Sequence, residues 1–220
     1  MVISNNMKPA LIIFDLDGTL VDAYKPIVRS FNYTMRALGY PKKGAPTIKR
    51  AVGWGDANLL APFIDRKHLA KALLIYREHH KKALLRGVKV LPGARKLLRC
   101  IKQNGATLAI ASNRPTKFTK IILRRLKMSK YFDYVLCADK LKHGKPNPEI
   151  ILSIMHKFKA SPKDTLYVGD MAIDMQAGNN AKVKSIAVLS GSSTKKELLK
   201  AHPHKVLKNV SGILYLCKAG

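Results

Sequence analysis

Acidic residues are scarce in this sequence: 13 Asp and Glu face 41 Lys and Arg over 220 residues, a formal charge of +28. Each acid is therefore informative. Cysteine is rarer still, and Cys100, Cys137 and Cys217 are odd in number without CxxC spacing. That argues against a disulfide framework or a zinc site, and for buried thiols in a reducing compartment. There is no run of 18 apolar residues to cross a bilayer, so no membrane association is expected. The opening MVISNNMK lacks the apolar stretch of an export signal, and the apolar run that follows is too short for one; a cytoplasmic protein is expected. Aromatics make up 7% of the chain, with a single Trp.

The excess of positive charge raises the question of a nucleic-acid partner. The basic residues are spread along the whole chain, however, with no basic arm and few aromatics among them for base stacking. A solvated Lys-rich surface that steers small anions is the favoured reading, and nucleic acid the minor one.

What is present is an alternation. Residues 10–15 (ALIIFD) form a continuous apolar run ending in an acid, as in a strand buried on both faces. Runs of the same kind recur at 106–112, 134–138, 165–169 and 185–189, separated by helical patterns at 93–103, 116–127, 148–158 and 172–181. Strands alternating with helices predict a doubly wound, Rossmann-like α/β fold with a parallel sheet, which binds ligands at the carboxyl ends of its strands. The interval 21–90 breaks this rule and reads as helices at 26–38, 56–63 and 68–85. It is expected to be a small helical cap domain inserted into a core made of residues 1–20 and 91–220.

The polar residues fall at the ends of the predicted strands. Asp15-Leu16-Asp17-Gly18-Thr19 places two carboxylates one residue apart, which in a plain strand would share a face and repel. A divalent cation would relieve that repulsion and let a carboxylate attack phosphorus, with Gly18 and Thr19 contributing to phosphate binding. Alone, such a string also reads as an ordinary turn. Ser112-Asn113 ends the second strand, where a hydroxyl can reach a phosphoryl group or simply cap the next helix. Lys145 lies in Gly-Lys-Pro-Asn-Pro, where prolines stiffen its approach. Asp170 and Asp174 follow the fourth strand four residues apart, on one face if a helix begins there, and need a cation such as Mg²⁺.

In this order, DLDGT, Ser112, Lys145 in GKPNP and GDMAID resemble the four signature motifs of the haloacid dehalogenase-like hydrolase superfamily, over essentially the whole chain. The resemblance implies a Mg²⁺-dependent phosphatase acting on small phosphorylated metabolites. Asp15 would form an aspartyl-phosphate, Asp17 act as general acid and base, and Ser112 and Lys145 hold the phosphoryl group. Asp15, the Asp17 main-chain carbonyl and Asp170 would bind Mg²⁺, with Asp174 in support. An acid at position 17 argues against dehalogenases and phosphonatases. The strings VGWG at 52–55 and LPGARKLL at 91–98 are similar to the capped phosphoglycolate phosphatase branch, although Ala23 stands where a Ser is usual. The alternatives are a phosphosugar mutase or phosphotransferase of the same superfamily and a nucleic-acid-associated phosphatase. Trp54 is expected near the substrate entrance or in the cap core, Asn113 near the substrate, and His79 and His80 on a solvated helix face. Monomer and dimer are both compatible with the sequence.

Overall fold

The computed structural model describes residues 9–217. The chain begins with β1 (Leu11–Phe14) and a two-residue strand, β2 (Val21–Asp22). Four helices follow: α1 (Tyr24–Ala37), α2 (Ala45–Ala51), α3 (Asp56–Leu60) and α4 (Leu69–Gly87). The return is made by β3 (Lys89–Val90), which pairs antiparallel with β2, Val21 opposite Val90 and Asp22 opposite Lys89. Thereafter strand and helix alternate: α5 (Ala94–Gln103), β4 (Thr107–Ser112), α6 (Thr116–Arg125), β5 (Tyr134–Cys137), α7 (Glu149–Phe158), β6 (Thr165–Gly169), α8 (Ala172–Asn180), β7 (Lys184–Val188), α9 (Lys195–Lys200) and β8 (Lys205–Leu207).

The large sheet runs β5-β4-β1-β6-β7-β8, with every pairing parallel. Because β1 is central, all four of its residues are buried, which accounts for its unbroken apolar run. Alternation along the strand then divides the core. Ile12 and Phe14 join Leu97, Ile101 and Ile122 on one face, while Leu11 and Ile13 join Ile150, Ile154 and Ala177 on the other. In α1 the buried residues Ile27, Phe31, Thr34 and Met35 recur at helical spacing, so one stripe packs inward and the rest faces outward.

Five elements lie outside the sequence reading. Strands β2 and β3 are two residues each, α2 carries Pro46 near its start, α9 follows a Thr194–Glu197 capping box, and β8 is only three residues long. Cys137 is a buried free thiol as expected, whereas Cys100 is disulfide-bonded, contrary to the expectation of thiols throughout. Among the described residues, no helix is long and apolar enough to cross a membrane.

Candidate active site

A cavity of about 60 Å³ opens at the carboxyl ends of β1, β4 and β6, walled on its other side by residues of α1, α3, α4 and the turn before α3. At its floor Lys145 is almost wholly buried, and its ammonium uses all three donors: to Asp15 Oδ1 at 2.6 Å, to Asp174 Oδ1 at 2.6 Å and to the Ala111 carbonyl at 3.2 Å. Burial works against that charge, but the two carboxylates outweigh it and raise Lys145 well above its ordinary value.

The acids have less relief. Ligand oxygens of Asp15, Asp170 and Asp174 lie within 4.8 Å of one another, all three residues buried. Burial pushes the Asp15 carboxyl up to about 7, with Lys145 opposing and Asp174 adding to the rise. Burial likewise lifts Asp170, reinforced by Asp15 and Asp174. Three buried carboxylates facing one ammonium are a costly arrangement without a further cation, and their all-oxygen donor set suits a hard divalent ion. The cluster therefore fits such an ion.

Local structure aims these groups. Asp170 precedes α8 rather than lying within it, so the expectation that Asp170 and Asp174 share one face of a helix does not hold. Asp174 is instead at the third position of α8, and its Oδ2 accepts from the Met171 N–H at 2.9 Å. Asp170 accepts from Thr19 Oγ1 at 3.1 Å and from the Ser192 N–H at 3.0 Å. Gly18 takes φ +84°, and a Cβ there would fall 2.6 Å from Asp170 Oδ2, so only glycine fits. Its N–H donates to the Val21 carbonyl, and its own carbonyl accepts from Ser190 Oγ at 2.6 Å. The Gly18 N–H, expected at the phosphate, is thus engaged within the loop, while the Thr19 hydroxyl holds Asp170. Ser112 is buried on the cavity wall, its Oγ accepting from the Arg114 N–H at 3.2 Å.

Asn113 is fully engaged with backbone. Its amide donates to the carbonyls of Gly53 (2.9 Å) and Lys145 (3.0 Å) and accepts from the Lys145 N–H (2.8 Å), pinning the turn before α3 to the Lys145 loop. Trp54 is 46% exposed, which excludes the core position, and lines a neighbouring surface cleft shared with Asn113 and Lys145.

Two residues of the site escaped the sequence reading. Arg114, one basic residue among many, grips Asp17 with Nε–Oδ2 at 2.6 Å and Nη2–Oδ1 at 3.0 Å. His80, expected in solvent, is fully buried; its Nε2 lies 2.8 Å from Arg114 Nη1 and its Nδ1 3.1 Å from Ser30 Oγ. It stacks on Tyr76. Burial, aided by the neighbouring guanidinium, pushes His80 down to about 2 from 6.5. Between those values the unfolded chain binds a proton that the folded chain refuses, so His80 withdraws stability as pH falls below about 6, by roughly 1.4 kcal/mol per unit, and contributes nothing above about 7. Urea unfolding at pH 7 and pH 5 should show this difference between wild type and His80→Gln, which can keep both hydrogen bonds.

A buried set of carboxylates around one lysine, at the strand ends of a doubly wound parallel sheet, defines an α/β enzyme of the phosphate-handling kind. The model of the haloacid dehalogenase-like hydrolases matches residues 12–188. The chain belongs to that family. The phosphoglycolate phosphatase of Pseudomonas putida is 28% identical over 95% of this chain and 80% of its own length. That of Aquifex aeolicus is 30% identical over 82% of this chain and 85% of its own. A predicted phosphoglycolate phosphatase from Haemophilus somnus has the same fold, with a TM-score of 0.90 at 23% identity over 95% of this chain and 98% of that one.

Proposed function

We propose that this protein hydrolyses small phosphate monoesters through a phosphoryl group carried on Asp15, with Mg²⁺ as the cation, and that residues 21–90 serve as a cap over the core formed by 1–20 and 91–220. The observation that carries the reading is the buried Asp15–Lys145–Asp174 cluster with Asp170 beside it at the mouth of β1 and β6. Phosphoglycolate, the substrate named for two relatives, is the first to try.

Asp15 Oδ2 has no hydrogen bond among the described residues, and Asp15 lines the cavity, so this oxygen is the one available to attack. It forms a bond to phosphorus as the ester P–O bond breaks, and Asp17 gives the departing alkoxide its proton. Asp17 then takes a proton from water, whose oxygen attacks the same phosphorus; the bond to Asp15 breaks and inorganic phosphate leaves. Lys145 keeps Asp15 in place through both steps, and Ser112 offers a hydroxyl to the phosphoryl oxygens. A Mg²⁺ ion held by Asp15, Asp170 and the Asp17 carbonyl, with Asp174 in support, would supply charge neutralisation for the incoming phosphate.

Turnover of an aryl phosphate should stop in EDTA and return with excess Mg²⁺. Activity that persists after exhaustive chelation would remove the cation from the proposal. In the metal-free protein the raised carboxyls favour folding at low pH and lose that advantage as pH rises towards 7, so Mg²⁺ should raise Tm more at pH 8 than at pH 5.5.

A further inference from the structure

Two permanent cations line the cavity among the described residues, Lys145 and Arg114, and they differ in what they have left to give. The Lys145 ammonium has all three donors engaged. A guanidinium has five N–H groups. Arg114 gives Nε–H and one Nη2–H to Asp17 and faces His80 Nε2 with one Nη1–H. One N–H on each terminal nitrogen is thus without a protein partner among the described residues, although the side chain is only 8% exposed.

The contact with His80 fixes the direction of the chain behind it. An arginine can only donate, so His80 Nε2 accepts, and the ring proton is on Nδ1. That proton goes to Ser30 Oγ, and the Ser30 hydroxyl donates to the Pro26 carbonyl at 2.9 Å. His80 is a neutral strut: it orients Arg114 from α4 and α1 while leaving the guanidinium charge uncompensated on that side. Among the described residues Asp17 is the single carboxylate bonded to it. The same cavity is lined by the apolar Ile27, Leu59 and Phe118 and by Asp56, whose carboxylate is bonded to Arg77.

We propose that Arg114 is the specificity-determining residue of this site and that its two remaining N–H groups bind a carboxylate on the alcohol portion of the substrate. This rests on the phosphatase reading above and deepens it: the preferred substrates are short phosphate monoesters bearing a second anionic group. An uncharged alcohol portion leaves the buried N–H groups without a partner and is rejected, as sites built around hydrogen-bonding groups reject analogues that lack the matching atom. The apolar wall adds nothing that distinguishes the two.

The test compares kcat/KM for 2-phosphoglycolate, for 2-hydroxyethyl phosphate, which replaces the carboxylate by a neutral hydroxymethyl group, and for p-nitrophenyl phosphate. Wild type should prefer the first over the second by on the order of 100-fold. Arg114→Gln should bring that ratio to within about threefold of unity, whatever it does to the absolute rates through Asp17. Arg114→Lys, which keeps the charge without the planar fork, should give an intermediate ratio. A wild-type ratio near one, or a ratio unchanged in Arg114→Gln, overturns the proposal and assigns those N–H groups to the phosphate or to solvent. If p-nitrophenyl phosphate is turned over and 2-phosphoglycolate is not, this proposal fails and the phosphatase reading stands. If none of the three is turned over with Mg²⁺ present, both fail.

Discussion

Asp15→Asn should lower kcat for an aryl phosphate by on the order of 10⁴-fold or more, with no loss of fold. The substitution is isosteric, but an amide cannot form the phosphoryl bond. It leaves the ammonium of Lys145 paired with Asp174 and the Ala111 carbonyl, so no buried charge is orphaned. It also removes one of the three clustered carboxylates, the one that burial, with Asp174 beside it, pushes up to about 7. The melting temperature of the metal-free variant should therefore equal or exceed that of wild type at pH 8. Mass spectrometry of enzyme quenched during turnover should find a phosphoryl adduct on wild type and none on the variant. Residual turnover above about one per cent, with the protein folded, would assign the nucleophile elsewhere.

Lys145→Met acts in the opposite sense on stability. The methionine fills much of the same space but leaves Asp15 and Asp174 facing each other and Asp170 without the single ammonium among them. Removing one partner of a buried ion pair typically costs about 3–5 kcal/mol, which for a chain of this size is a fall in Tm of roughly 10 °C. The loss should be larger at pH 8 than at pH 5, because Asp15 and Asp170, which burial already raises, can take up protons at the lower pH. Saturating Mg²⁺ should restore part of it by supplying charge to the same oxygens. Activity should fall by roughly 10²–10³-fold. Calorimetry at the two pH values, with and without Mg²⁺, separates the four cases; equal melting curves throughout would mean that the ammonium does not hold the cluster together.

The sheet was readable from the sequence because its central strands are buried on both faces, and burial on both faces leaves unbroken apolar runs such as LIIF and TLYVG. The acids were readable because acids are rare here and these stand at strand ends. What could not be read depends on contacts between distant segments. His80 belongs to a run of His and Lys that resembles a wet helix face, and only the approach of Arg114, Ser30 and Phe118 makes it a buried neutral ring. Arg114 carries no mark that separates it from the other arginines until the turn after β4 brings it to Asp17. Asn113 lines the cavity, and the three backbone groups of Gly53 and Lys145 that its amide satisfies come from segments no spacing in the sequence brings together. Strand β8, half-buried along its length, lacks the continuous apolar signature of the others.

The position of β1 also bears on how the chain acquires its fold. Leu11 pairs with Thr107 on one side and with Thr165 on the other, so the segment bearing Asp15 has no neighbour in sequence to zip against. Helices α1 and α4, by contrast, meet after only the short elements between them, and β2 with β3 closes that excursion into a hairpin-like return. Non-local strand pairing is the slow part of folding, since loop closure must precede the contacts that reward it. The strand that holds the nucleophile is made before either of its sheet neighbours, and it is sealed into the sheet only once β6 has followed β4. Refolding followed by tryptophan fluorescence from Trp54 and by regain of activity should then show two clocks, the helical segment settling before the first turnover is possible.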